Sequence, residues 1–131
     1  MTAKHIHMSA SEFDLYVARK LTKKASNARE RGIPFDMTFT SMKNILKSTK
    51  CYYTGIPLVL PTSGMDSSKL PPNALTIDRI DSSKPYTHGN VVACCYAFNS
   101  MKGQVEAGGI DAMRGIVRAF NKAIKRLENM S

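Results

Sequence analysis

The stretch TIDRIDSSKPYTHGNVVACCYAFNSMKG, residues 76–103, decides how this chain is read. Residues 76–80 and 90–95 are short apolar and β-branched runs, and the polar loop between them is too long for a tight hairpin turn. They predict two strands. Residues 96–102 follow the second run with no glycine or proline, which predicts a short helix broken at Gly103. Strand, loop, strand and helix together make a compact ββα unit over residues 74–103. It carries Asp78 late in the first strand and Asn99 on the helix, so a carboxylate stands opposite a helix-borne amide oxygen. Hard divalent cations such as Mg²⁺ take oxygen ligands, and one or two from protein suffice when phosphate oxygens and water complete the shell. Asn90, at the start of the second strand, can accept and donate hydrogen bonds across the loop and so fix its shape. Lys102 lies one helical turn after Asn99, on the same face, in position to reach a phosphate.

Outward from this unit the chain is helical. Phe13, Val17, Leu21, Ala25 and Ala28 recur every three or four residues, with Arg19, Lys20, Lys23, Lys24 and Arg29 mostly off that stripe. This predicts a basic amphipathic helix over residues 11–31, capped by Ser9 or Ser11 and ended by Gly32 and Pro34. Residues 35–39 read as a short extended piece. Thr40 is expected to cap a second helix, with Met42, Ile45 and Leu46 inward, ending near Lys50. CYYTGIPLVL, residues 51–60, predicts a hairpin around its Thr-Gly turn, and residues 61–73 read as loop. Ile110, Met113, Val117, Phe120, Ile124 and Leu127 mark a last amphipathic helix over residues 109–128. Its stripe reads most simply as core packing, and a homodimer through it stays open. The eight methionines read as core gap fillers. The fold class is therefore α+β: one small domain over residues 1–131, with a basic helical region at 11–50.

The 131 residues carry a formal charge of +9, and the excess is uneven. Residues 1–50 hold ten Lys and Arg against four Asp and Glu, whereas residues 51–103 hold four against three. Arg19, Lys20, Lys23, Lys24, Arg29 and Arg31 are thus the candidate contacts for a polyanion, by the sequence-independent attraction of cations to phosphate. Charge alone does not separate DNA from RNA or an acidic membrane. Three cysteines, Cys51, Cys94 and Cys95, make a poor disulfide framework and suit a reducing compartment. With no apolar run of the roughly 18–20 residues a bilayer needs and no signal-type apolar segment, a soluble cytoplasmic protein with no membrane partner is expected.

The 76–103 stretch resembles the core of HNH endonucleases, particularly a short phage-borne group with a pattern like LDRID…GY…GNV…N..KG. The region from residue 24 onward, ARERGIPFDMTFTSMKNILKSTKCYYTGIPL (28–58), also resembles that group. The resemblance implies a ββα-metal fold and metal-dependent hydrolysis of DNA, of duplex in the first instance, in the host-cell cytoplasm if the chain is phage-encoded. It implies Asp78 and Asn99 as ligands of one Mg²⁺ or Mn²⁺ ion, and Asn90 as the residue that braces the loop. Two departures matter. Where many HNH enzymes have the general-base histidine after the first Asp, this chain has Arg79, which stays protonated and is a poor base. Arg79 can instead clamp the scissile phosphate, leaving water activation to the metal, to Asp81 or to His88. Zinc-stabilised members carry two CxxC knuckles. Here Thr54 and Phe98 stand where the second cysteines after Cys51 and Cys95 would be, so no zinc is expected and an apolar, hydrogen-bonded contact is expected in its place.

Plainer readings stand beside these. An Asp-x-x-Asp in a loop is usually turn chemistry, and Asp81 is expected to cap the loop. His88 reads as an exposed loop residue, and His5 and His7 as residues of an N-terminal arm. The rival function is a non-catalytic DNA-binding or partner-inhibiting protein on the same fold, and Arg79 is the feature that separates the two.

Overall fold

The structure is a computed structural model that describes residues 8–61 and 69–130. His5, His7 and most of the 61–73 loop lie outside the described residues. The fold is α+β, with helices first, small sheets in the middle and a long helix last. It divides into two compact units, residues 1–98 and 99–131.

In the first unit, α1 (Ala10–Glu30) starts at a capping box in which the Ser9 hydroxyl accepts from the Glu12 N–H and Glu12 reaches back to Ser9. It stops where Gly32 takes φ +68°, letting Ile33 N–H reach the Ala28 carbonyl at 2.8 Å. Phe13, Val17 and Ala28 of the predicted stripe are buried. β1 is only Phe35–Asp36, and α2 spans Phe39–Leu46. Its cap is Thr38 rather than Thr40. The Thr38 hydroxyl accepts from Ser41 N–H at 3.1 Å, a bond that Thr40, already inside the helix, has no terminal N–H to receive. Asp14 of α1 and Lys43 of α2 form an ion pair at 2.7 Å.

The 51–60 segment turns at Gly55 (φ +77°) as its Thr-Gly dipeptide predicts, but the hairpin is nearly absent. Among the described residues it makes one antiparallel bridge, Lys50 with Pro57, flanked by the bonds Cys51 N–H to the Ile56 carbonyl and Leu58 N–H to the Thr49 carbonyl. Val59 instead bridges in parallel to Ala74. β2 (Leu75–Arg79) and β4 (Val91–Cys95) pair antiparallel, Asp78 opposite Val92. The loop between them contributes β3 (Tyr86–Thr87), which pairs in parallel with β1. The core gathers Phe13, Val17, Met42, Leu46, Leu58, Ile77, Val91 and Cys94 from these elements.

α3 (Tyr96–Val105) leaves β4 without a loop and continues through Gly103 into the second unit. The break falls later, at Gly109 (φ +79°), where α4 (Gly109–Met130) begins. One glycine within a helix costs only about 1 kcal/mol against alanine, which neighbouring turns absorb. None of α4 is buried, so its apolar stripe does not pack into a core among the described residues.

Candidate metal and phosphate site

Asp78 occupies the fourth position of β2 and is 7% exposed. Its Oδ2 accepts a hydrogen bond from the Tyr53 hydroxyl at 2.7 Å. Tyr53 is set there by the 51–56 turn, whose Tyr52 N–H donates to the Ala93 carbonyl of β4 at 2.9 Å. Its ring packs against Phe98 and, edge to face, against Tyr52, with centroids 4.7 and 5.0 Å away. Burial first, then the bond to Asp78, pushes the Tyr53 phenol well above its ordinary value, so it remains a donor. Sequence reasoning missed Tyr53. Its only signal is an aromatic pair in a turn, and nothing in the spacing points from there to a residue 25 positions on.

Lys24 of the basic helix lies within electrostatic range of this carboxylate. Burial holds its ammonium below the ordinary 10.5, as do Arg31, Lys23 and Arg79, while Asp78 pulls the other way. The candidate phosphate contacts of α1 thus separate into rows. Lys20 and Lys24, one turn apart, are half-buried, and Lys20 lies over the Tyr16 ring at 5.7 Å. Arg19 and Lys23, with Leu15, Ala18, Thr22, Ser26 and Asn27, line a shallow groove on the helix. Arg29 and Arg31 are exposed at its end.

Arg79 follows Asp78 on the strand, where successive side chains diverge. Its guanidinium donates to the Lys84 carbonyl at 2.9 Å and lies 4.8 Å over the Tyr86 ring, so it ties down the loop. Asn90 uses both ends of its amide: Oδ1 accepts from Asp81 N–H at 2.9 Å, and Nδ2 donates to the carbonyls of Asp81 and Pro85, each at 3.0 Å. Asp81 is engaged in the same loop, accepting from the Ser83 N–H and hydroxyl. His88 is exposed and lines a separate shallow cleft with Asn44, Lys50 and Tyr52.

The Cys51 sulfur accepts from the Cys95 N–H at 3.2 Å, and the Thr54 hydroxyl lies 3.8 Å from the Cys95 sulfur. Thr54 and Phe98 thus make a hydrogen-bonded and an aromatic contact, to Cys95 and Tyr53. Burial raises the Cys51 thiol, but donors from Thr54, Cys95 and Tyr53 outweigh it and bring it down to about 6. Cys94, buried beside Cys51 and Asp78, is pushed up.

In the second unit, Asn99 lies in the first turns of α3. The Lys102 side chain is 4% exposed and its ammonium pairs with Glu106, four residues on and just past the end of α3, at 3.1 Å. Among the described residues no three His, Cys, Asp or Glu side chains gather as a metal cage.

The chain is similar to an uncharacterized 29.0 kDa protein in the dda-modA intergenic region of Enterobacteria phage T4, 27% identical over 86 residues. The match covers 66% of this chain and 32% of that protein, so it spans about a third of the relative's length. No family model and no solved structure matches the chain. No helix among the described residues is long and apolar enough to cross a membrane.

Proposed function

We propose that the chain is a phage-type, metal-dependent DNA endonuclease on an HNH-like ββα core. The observation that carries this reading is Asp78: a buried carboxylate on a strand, oriented by a tyrosine hydroxyl and within the electrostatic reach of Lys24 and Arg79. A buried carboxylate amid cations is a poor surface feature and a good hook for a divalent ion presented with a phosphate. Asp78 would hold the ion, Mg²⁺ or Mn²⁺; the second ligand, Asn99, is assigned from the resemblance alone. An ion bound there supplies Lewis acidity and a bound water of lowered pKa.

The chain's own residues do the rest. Tyr53 keeps Asp78 oriented by donating to Oδ2. Lys24, with Arg31 behind it, draws a phosphate towards the carboxylate, and Arg19 and Lys23 extend the attraction along α1. Asn90 and Arg79 hold the 81–87 loop in one shape, so that the strand end carrying Asp78 does not drift. The phosphate role assigned to Lys102 passes in this reading to Lys24.

One observation favours a second reading, binding without cleavage. Arg79 stands where the family's general base would be and is bonded into the loop. Incubation of supercoiled plasmid with the purified chain in Mg²⁺, Mn²⁺ or EDTA tests the two. Conversion to nicked or linear DNA with either metal, abolished by EDTA, is the expected result. DNA binding with no cutting under any metal condition replaces the first reading with the second.

A further inference from the structure

The face of α4 has the form of half an interface. Ile110, Met113, Val117, Phe120, Ile124 and Leu127 are 66, 37, 60, 53, 51 and 65% exposed. Isolated apolar side chains on a surface are ordinary, but a continuous stripe along a 22-residue helix is not. The spacing narrows the occupant. Ile110, Val117 and Ile124 repeat at seven residues, as do Met113, Phe120 and Leu127. Ile116, Ala123 and Met130 flank the seam on one side, and a seven-residue repeat of this kind stays in register along a second, supercoiling helix. No charged residue interrupts the seam.

We propose that α4 pairs with α4 of a second copy of this chain, antiparallel, as a short two-stranded coiled coil. In that direction Ile110 meets Leu127, Met113 meets Ile124 and Val117 meets Phe120, so every layer is filled. Arg114 and Glu128 occupy the same flanking heptad position, and running the helices in opposite directions brings Arg114 of each copy to the flank holding the other's Glu128. A parallel pair would set them beside Gly109 and Ala123, with no charge partner, and would align the helix dipoles unfavourably. Within its own helix Arg114 has only the exposed Asp111 at 3.9 Å, a contact too weak to hold it. A helix about 33 Å long and about 10 Å wide presents a footprint of about 330 Å² to its partner, so the pair falls below the size of the smallest stable interfaces, about 1,200 Å². The association should therefore be reversible and concentration-dependent.

Sedimentation equilibrium of the full chain tests this over a wide concentration range. A monomer–dimer equilibrium is expected. Val117→Glu with Ile124→Glu should weaken it roughly a hundredfold or more, since each tenfold step needs only about 1.4 kcal/mol. Both positions are solvent-exposed, so thermal melting should show the first unit still folded. Glu128→Arg should weaken the dimer about tenfold, and Arg114→Glu with Glu128→Arg should restore it to within about threefold. A chain that stays monomeric at every concentration overturns the proposal, whether or not it then binds anionic vesicles of phosphatidylserine and phosphatidylcholine or duplex DNA. A dimer indifferent to the Glu128 reversal overturns the antiparallel seam.

Discussion

Replacing Tyr53 with phenylalanine removes one oxygen atom and, with it, the 2.7 Å hydrogen bond to Asp78. Phenylalanine keeps the ring contacts with Tyr52 and Phe98, so packing is conserved and the lost hydroxyl dominates. A hydrogen bond to a charged group contributes about 1.5–3 kcal/mol, and removing its donor leaves a nearly buried carboxylate short of a partner. Urea denaturation of Tyr53→Phe should therefore show a loss of about 1.5–3 kcal/mol, followed by far-UV circular dichroism because the chain has no tryptophan. In a double-mutant cycle with Asp78→Ala, most of that loss should appear as coupling. The pH profile gives a second check. The native phenol is held above its ordinary value of 10.0, so its stabilisation is complete below pH 10 and declines as the pH climbs past that point, where the denatured chain gives up the proton first. Tyr16, raised to about 12 by burial, and the Cys94 thiol, also pushed up by burial, decline over the alkaline range too, so Tyr53→Phe should leave their part of the fall. A Tyr53→Phe protein within about 0.5 kcal/mol of wild type, with no coupling to Asp78, would show that the bond does not hold the carboxylate.

Asn90→Ala removes three hydrogen bonds across the 81–90 loop and should cost about 1.5–3 kcal/mol by the same denaturation assay; a neutral result would mean the loop holds its shape without it. Lys24, whose proton is held less tightly than in an ordinary lysine, should lose its contribution to duplex binding as the pH rises through its lowered value, short of 10.5. Fluorescence anisotropy should show that alkaline loss in wild type and its absence in Lys24→Arg, which stays charged. The Cys51 thiol, brought down to about 6 from 9.0, should add stability that is fully present above pH 9 and is lost as the pH falls through 6. Cys51→Ser should flatten the stability profile between those limits.

Strands β2 and β4, α1 and α4 were legible because their apolar spacing is set by residues close in sequence. The loop-spanning geometry of Asn90 was legible too, since an amide at a strand start facing a polar loop has few other partners. What failed was local competition. Thr38 and Thr40 are both credible caps, and only the fold decides which precedes the first helical turn. The hairpin read over residues 51–60 shrinks to one bridge, Lys50 with Pro57. Gly103 and Gly109 look alike as helix breakers, but only Gly109 adopts a positive φ. Tyr53 and Lys24 came to Asp78 through tertiary packing that no periodicity encodes.

The most direct test of Asp78 as the centre of metal-dependent cleavage is to measure cutting and binding on one preparation of Asp78→Asn. The substitution keeps an oxygen that can accept from Tyr53 and removes the negative charge a divalent ion requires. A plasmid-cleavage time course in Mg²⁺ and Mn²⁺ should fall by at least about a hundredfold, in the range lost when a group that stabilises the transition state is removed. Duplex affinity by anisotropy should be unchanged or slightly tighter, because a charge that repels phosphate is gone. Cleavage by Asp78→Asn at the wild-type rate would contradict the account.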